Sequence, residues 1–173
     1  VYYGFCSLSL INEIKKYKNL IIIRTFSKSS GLAALRAGYI VADKIIANLL
    51  FKFKPMYEIN SIAALALNYI FKNKHLEKRY INEVEKGKQF LLKNLKSLNI
   101  EYLDTHTNFV HLKINKPKSI NKIIKYLKRN KILVRSGGPG VKRYEDFLRV
   151  TLGSREDMYK LVSCLKKKEL NLI

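Results

Sequence analysis

One lysine, one arginine and four serine or threonine hydroxyls fall within residues 25–39, in the order Thr25, Ser27, Lys28, Ser29, Ser30, Arg36, with Gly31 between them. A lysine amine is a nucleophile only when neutral. Burial or a neighbouring cation lowers its pKa and prepares it to form an imine with an aldehyde. Hydroxyls, backbone N–H groups at a tight turn and a guanidinium are what a phosphate dianion needs. Gly31 lets the backbone approach a ligand closely or take a positive φ. Small residues surround Lys28, so a group other than a side chain can occupy the space. The plain alternative is a solvated loop lysine and a surface arginine, but the full spacing favours a site. A small molecule carrying both an aldehyde and a phosphate is pyridoxal 5′-phosphate.

Two apolar runs bracket this stretch. Residues 20–23 form a short continuous run that reads as a buried strand of a parallel sheet. Residues 39–42 read as a second strand. Residues 1–5 read as the end of another, and a short helix begins at Ser9, so the order is strand, helix, strand. Asp43 caps a helix over residues 44–53, and Pro55 interrupts the pattern. Asn60 or Ser61 caps a helix over 62–71, and helix resumes over 75–98. The periodicity then changes. Residues 100–103 and 109–114 alternate in steps of two, as half-exposed antiparallel strands do. A turn at Pro117 leads to an amphipathic helix marked by Ile120, Ile123, Ile124 and Leu127. Strands follow at 132–134 and 147–152, with a loop over 136–140 between them, and Gly153-Ser154 caps a last helix over 155–168. The glycines of 137–140 lack the spacing of a nucleotide phosphate loop and read as a plain connection.

Composition bounds the partners. The chain has 173 residues, 47% of them hydrophobic, which suits a packed core. It contains 34 Lys and Arg against 13 Asp and Glu, a formal net charge of +21. The excess is mostly Lys, spread among many Ile and Asn. A nucleic-acid surface more often clusters Arg with aromatics, so the charge reads as genome composition and argues against nucleic acid as the main partner. Two distant cysteines, Cys6 and Cys164, and three histidines suit a reduced cytoplasmic setting with no metal site. No apolar run approaches the length of a membrane span, and residues 1–5 lack the features of a signal peptide.

Residues 25–39 resemble the lysine motif of the fold-type I, class I/II pyridoxal-phosphate aminotransferases. More narrowly they are similar to the histidinol-phosphate aminotransferase family, whose motif runs Thr, an aromatic or Leu, Ser-Lys, then Gly-Leu-Ala, then Leu-Arg-x-Gly-Tyr. Ser30 departs from it, that position often being larger and apolar. Residues 1–5, Val-Tyr-Tyr-Gly-Phe, resemble the tail of the family's Asp-Glu-Ala-Tyr-x-x-Phe segment. Residues 55–61 resemble its Pro-Tyr-x-x-Asn segment, with Met56 as an inserted or substituted position. Thr107-Asn108-Phe109 resembles the Asn-Phe segment near the substrate. Phe147-Leu148-Arg149-Val150-Thr151 is close to its Leu-Arg-Ile-Thr strand, and Leu133-Val134-Arg135 resembles its phosphate-contacting strand. The likeness runs from Val1 to about Leu165, onto the C-terminal half of the family.

The resemblance implies an α/β fold: a partial large domain of the αβ-sandwich type followed by a small C-terminal α+β domain. Residues 1–60 would be a remnant of the cofactor-binding domain, 61–98 connecting helices and 99–173 the small domain. It implies that Lys28 is the catalytic, imine-forming residue. Ser27 and Arg36 would hold the cofactor phosphate with Thr25 close by, and Tyr2 would meet the cofactor's 3′-oxygen. Arg149 would take the amino-acid carboxylate, Arg135 a substrate phosphate, and Asn108 would lie near the substrate. The activity implied is amino-group transfer between glutamate/2-oxoglutarate and histidinol phosphate/imidazole acetol phosphate, by a homodimer in the whole protein. The Asp expected to pair with the pyridine nitrogen would lie just before Val1, so the chain reads as a portion lacking the N-terminal half. Threonine-phosphate decarboxylase and the broader aromatic or aspartate aminotransferases are alternatives. A non-catalytic basic nucleic-acid-binding module is the alternative of another class.

Overall fold

The computed structural model describes residues 1–114, 120–137 and 144–166. The chain divides after Ile81 into two compact units.

In the first unit, β1 (Ile21–Thr25) and β2 (Gly38–Ala42) pair antiparallel, with Thr25 opposite Gly38 and Ile21 opposite Ala42. The connecting residues fold back because Phe26 N–H donates to the Ala37 carbonyl and Leu32 N–H to that of Phe26. A buried parallel strand was expected at residues 20–23. The strand exists, but its sequence neighbour is its antiparallel partner, and Ile21 and Ile23 are 42% and 61% exposed. The expected strand at residues 1–5 is a turn instead. Phe5 and Cys6 N–H both donate to the Tyr2 carbonyl, and Gly4 takes φ 106°. The helix expected from Ser9 is a 3-10 segment, Ile11–Lys15, and Ser9 accepts weakly from Ile11 N–H.

Helix α1 (Lys44–Phe53) follows β2, and α2 (Ser61–Lys72) follows in turn. Asn60 caps α2, its side chain accepting from Ala63 N–H at 2.8 Å and donating to the Leu35 carbonyl at 3.2 Å. Ala63 and Leu67 are buried with Ala37, and Phe26, Leu32 and Leu35 pack on them. The core of this unit is therefore the underside of the lysine loop.

Asp43 caps α1 through Ile45 N–H at 3.1 Å, and Lys18 Nζ lies 2.9 Å from its other oxygen. The Lys18 hydrogen bond, then that from Ile45, hold the Asp43 carboxyl below its ordinary 3.8, against a small opposing effect of burial. A depressed carboxyl stabilises the fold above its unfolded pKa, and that contribution is lost as pH falls through the lower folded value. Lys18→Ala is expected to move the Asp43 midpoint up toward 3.8, read by NMR titration of the side-chain carboxyl carbon.

Helix α3 (Lys74–Ser97) runs into the second unit. There β3 (Tyr102–Leu103), β4 (Phe109–Lys113), β5 (Arg135–Ser136) and β6 (Phe147–Thr151) form an antiparallel sheet in the order β3-β4-β6-β5. Alternation decides its faces. Val110, Leu112, Leu148 and Val150 are fully buried, whereas Phe109, His111, Phe147 and Arg149 are half-exposed. Helix α4 (Ile120–Arg129) buries Ile120, Ile123 and Leu127. Helix α5 (Arg155–Leu165) buries Met158, Leu161, Val162, Cys164 and Leu165, and a Ser154/Asp157 capping box starts it. A strand was expected at 132–134. Pairing begins only at Arg135, because Lys131 turns the chain with φ 61° and Ile132 N–H is held by the Leu127 carbonyl at the end of α4. The turn at Pro117, residues 138–142 of the glycine-rich connection and the last helix beyond Lys166 lie outside the described residues.

Candidate functional site

Lys28 sits at the turn of the loop between β1 and β2. Gly31 N–H donates to the Lys28 carbonyl at 3.1 Å, and Gly31 takes φ 69°, the left-handed conformation its residue type admits. The Lys28 side chain is half-exposed and its Nζ lies 5.8 Å from the centre of the Tyr2 ring. The turn at residues 2–6 brings Tyr2 there, and nothing in the local spacing would have done so. Among the described residues Lys28 forms no ion pair with a carboxylate.

Thr25 Oγ1 accepts from Ser27 N–H at 3.1 Å and donates to the Ala37 carbonyl at 3.4 Å. Thr25 thereby ties the loop's entry to its exit and orients Ser27 beside Lys28. A local hydroxyl–backbone bond of this kind fixes a turn without helix or sheet. Arg36 is exposed and left-handed, φ 55°, with Nη1 donating to the Ala33 carbonyl at 2.8 Å. That bond uses one of its five donors. Tyr2, Thr25, Ser27 and Lys28 are thus gathered by the fold, while Arg36 is anchored to its own turn.

The other predicted residues lie in the second unit. Arg135 and Arg149 face each other across β5 and β6, and His111 faces Arg149 across β4 and β6. Three nitrogen-bearing side chains therefore form one row on the half-exposed side of the sheet. The Arg149 guanidinium lies 4.1 Å from the centre of the Phe109 ring, a cation–π contact that fixes its plane. Arg135 and Arg149 line a cavity of about 350 Å³ together with Leu133, Val134 and Thr151. Asn108 precedes β4, and its carbonyl accepts from Leu152 N–H at 2.8 Å, which locks the end of β6. That places Asn108 as a strand anchor on the same edge as Thr151, opposite Phe109.

His111 was not among the predicted site residues. Its Nε2 is 3.2 Å from the Gly137 carbonyl and its ring stacks on Tyr144 at 5.4 Å. The signal was available, because His111 shares the alternating face of β4 with Phe109. Tyr57, in the segment after Pro55, is 88% exposed.

The family model for aminotransferase class I and II matches residues 1–165. A histidinol-phosphate aminotransferase of Clostridium novyi is 34% identical over 95% of this chain, and the match spans 45% of that protein. Histidinol-phosphate aminotransferase structures show the same fold. That of Sinorhizobium meliloti, in complex with pyridoxal-5′-phosphate, superposes with TM-score 0.84 at 22% identity over 98% of this chain and 46% of its own. That of Clostridium acetobutylicum gives 0.82 at 24% identity over 96% and 50%. The chain spans about half the length of the relatives it matches. With the family model covering nearly all of it, the chain belongs to the class I and II aminotransferases.

Proposed function

We propose that this chain carries the cofactor-tethering and anion-binding parts of a pyridoxal-phosphate-dependent aminotransferase. The reaction is amino-group exchange between glutamate/2-oxoglutarate and histidinol phosphate/imidazole acetol phosphate. The observation that carries the reading is Lys28, held without a carboxylate partner beneath the Tyr2 ring and next to Ser27. The donor set suits the cofactor. The Ser27 hydroxyl has no intramolecular hydrogen bond among the described residues, and a Cβ placed on Gly31 would meet nothing within 4 Å. There is room and there are donors for a phosphate at this turn.

Lys28 would hold the cofactor through its aldehyde, Ser27 and Arg36 its phosphate with Thr25 fixing the turn, and Tyr2 its ring oxygen. When bound, the cofactor supplies an electron sink for carbanion chemistry. Lys28 Nζ takes and returns the proton at the substrate α-carbon, a general acid–base role that suits an amine whose charge is not locked in an ion pair. Arg149 binds the amino-acid carboxylate through two parallel N–H donors on one edge of its guanidinium, and Arg135 the substrate phosphate. The mutual register of these arginines supports one anion-binding edge. In the whole protein the reading extends to a homodimer acting in the cytoplasm; among the described residues no helix is long and apolar enough to cross a membrane.

The test is to incubate the chain with pyridoxal 5′-phosphate, follow absorbance at about 420 nm and fix the adduct with borohydride. Peptide mass mapping is expected to place the label on Lys28 and to find it absent from Lys28→Ala. A label distributed over many lysines, or unchanged in Lys28→Ala, overturns the assignment.

A further inference from the structure

We infer that His111 is a positioning residue of the second unit: one hydrogen bond and one ring contact from it hold Arg135 and Arg149 where a substrate phosphate and carboxylate would meet them. The inference rests on the reading of those two arginines as anion-binding residues. Strand β5, which carries Arg135, is two residues long and lies at the edge of the sheet. Its ladder consists of Arg135 opposite Arg149 and Ser136 opposite Leu148. A strand this short depends on what holds its ends. The next residue is Gly137, whose N–H donates to the Phe147 carbonyl. A Cβ on Gly137 would fall 2.7 Å from the Phe147 Cβ and 2.9 Å from the Tyr144 carbonyl oxygen, so this backbone is pressed onto β6 and the residues before it.

His111 completes the anchor. The sheet order places β6 between β4 and β5, yet His111 Nε2 on β4 lies 3.2 Å from the Gly137 carbonyl oxygen. A carbonyl oxygen only accepts, so Nε2 carries the proton and donates. The bond ties β4 to the residue that follows β5. The same ring meets Phe109 at 5.3 Å between centres and an interplanar angle of 81°, and the Phe109 ring carries the Arg149 guanidinium at 4.1 Å. Tyr144 stacks on the imidazole at 5.4 Å. A continuous series of contacts therefore runs from Tyr144 through His111 and Phe109 to Arg149.

The chemistry of the side chain separates two duties. A phenylalanine would fill the space among Phe109, Tyr144 and Phe147 with no polar atom to satisfy. An imidazole adds a donor, and that donor goes to the Gly137 carbonyl. The hydrogen bond bears on Arg135 through the end of β5, and the ring contact bears on Arg149 through Phe109. Fixing each guanidinium before a ligand arrives lowers the ordering cost of binding.

Isothermal titration of the full chain with phenyl phosphate and with glutarate tests both duties in two variants. His111→Phe keeps a ring and removes the donor. It is expected to weaken phenyl phosphate about fivefold, the equivalent of one net hydrogen bond, and to leave glutarate within about twofold. His111→Gln keeps an N–H donor and removes the ring. It is expected to weaken glutarate about fivefold and to leave phenyl phosphate within about twofold. Both variants remove the same titratable group, so a difference between them is not an effect of charge. A purely structural histidine would lower both ligands together in both variants. That result, or no loss of either ligand in either variant, overturns the inference. The unmodified chain supplies a readout that needs no variant to fold. Reciprocity requires that a ligand favoured by the Gly137 bond strengthen that bond in turn. Water exchange of the His111 Nε2 proton, followed by NMR, is expected to slow about fivefold on saturation with phenyl phosphate, and an unchanged rate overturns the inference. Failure of both ligands to bind the unmodified chain is a different result: it overturns the anion-binding reading of Arg135 and Arg149 and takes the inference with it.

Discussion

Gly87→Ala is expected to destabilise the second unit by about 2–3 kcal/mol, and Gly87→Val by more. Helix propensity alone predicts the opposite sign. Gly87 lies inside α3, where exchange of glycine for alanine gains about 1 kcal/mol if nothing else changes. Packing decides the sign. A Cβ on Gly87 would fall on the carbonyl oxygen of Gly153 and 3.0 Å from the carbonyl carbon and oxygen of Ser154. Those atoms are backbone, and they cannot swing away as a side-chain tip would. They also belong to the turn that starts α5, where Ser154 N–H donates to Asp157 Oδ2 at 3.0 Å and Asp157 N–H to Ser154 Oγ at 3.2 Å. Displacing the turn strains the capping box and separates α3 from the start of α5. Leu91 and Leu95 on α3 and Met158 and Leu161 on α5 are almost fully buried in this unit. A domain of this size holds only about 5–15 kcal/mol in total. Thermal and urea unfolding of Gly87→Ala measure the effect; a rise in midpoint would show that propensity outweighs the contact.

Five helices were legible because their signals are local. Asp43, Asn60 and Ser154 are caps, and all three side chains accept from a backbone N–H of the helix they open. Periodicity marked the buried face of α4. The strand pairings were harder. An apolar run such as Ile21-Ile22-Ile23 states that a strand exists and says little about its partner. Its antiparallel pairing with β2 comes from closure of the lysine loop, which depends on Thr25, Phe26 and Ala37 acting across the loop. Residues 1–5 are β-prone in composition, yet Gly4 and the Tyr2 carbonyl make them a turn, and that turn carries Tyr2 to Lys28. The site divides in the same way. Lys28, Ser27 and Arg36 stood out by spacing, and the arginines of β5 and β6 only through resemblance. Their direct opposition is a matter of register, which no single segment encodes.

Arg149→Met is expected to weaken binding of a dicarboxylate such as glutarate by about 3 kcal/mol, or roughly a hundredfold. Two features of the sheet set that magnitude. Arg149 occupies the middle of a row, between His111 on β4 and Arg135 on β5, so its backbone is fixed on both sides. Its guanidinium is also stacked on Phe109, which leaves the planar edge open to a carboxylate at small entropic cost. Arg149→Lys keeps the charge and loses the fork, so most of the effect should persist in it. Arg135→Met should behave differently. Arg135 is exposed at a sheet edge and borders the same cavity, so a phosphate monoester should lose more than glutarate does. Isothermal titration of the chain with glutarate and with a phosphate monoester, each against the three variants, separates the two roles. Equal losses for both ligands in Arg135→Met would make the pair one undifferentiated anion site. Glutarate binding untouched in Arg149→Met would remove Arg149 from the substrate altogether, while leaving the tether at Lys28 to stand on its own test.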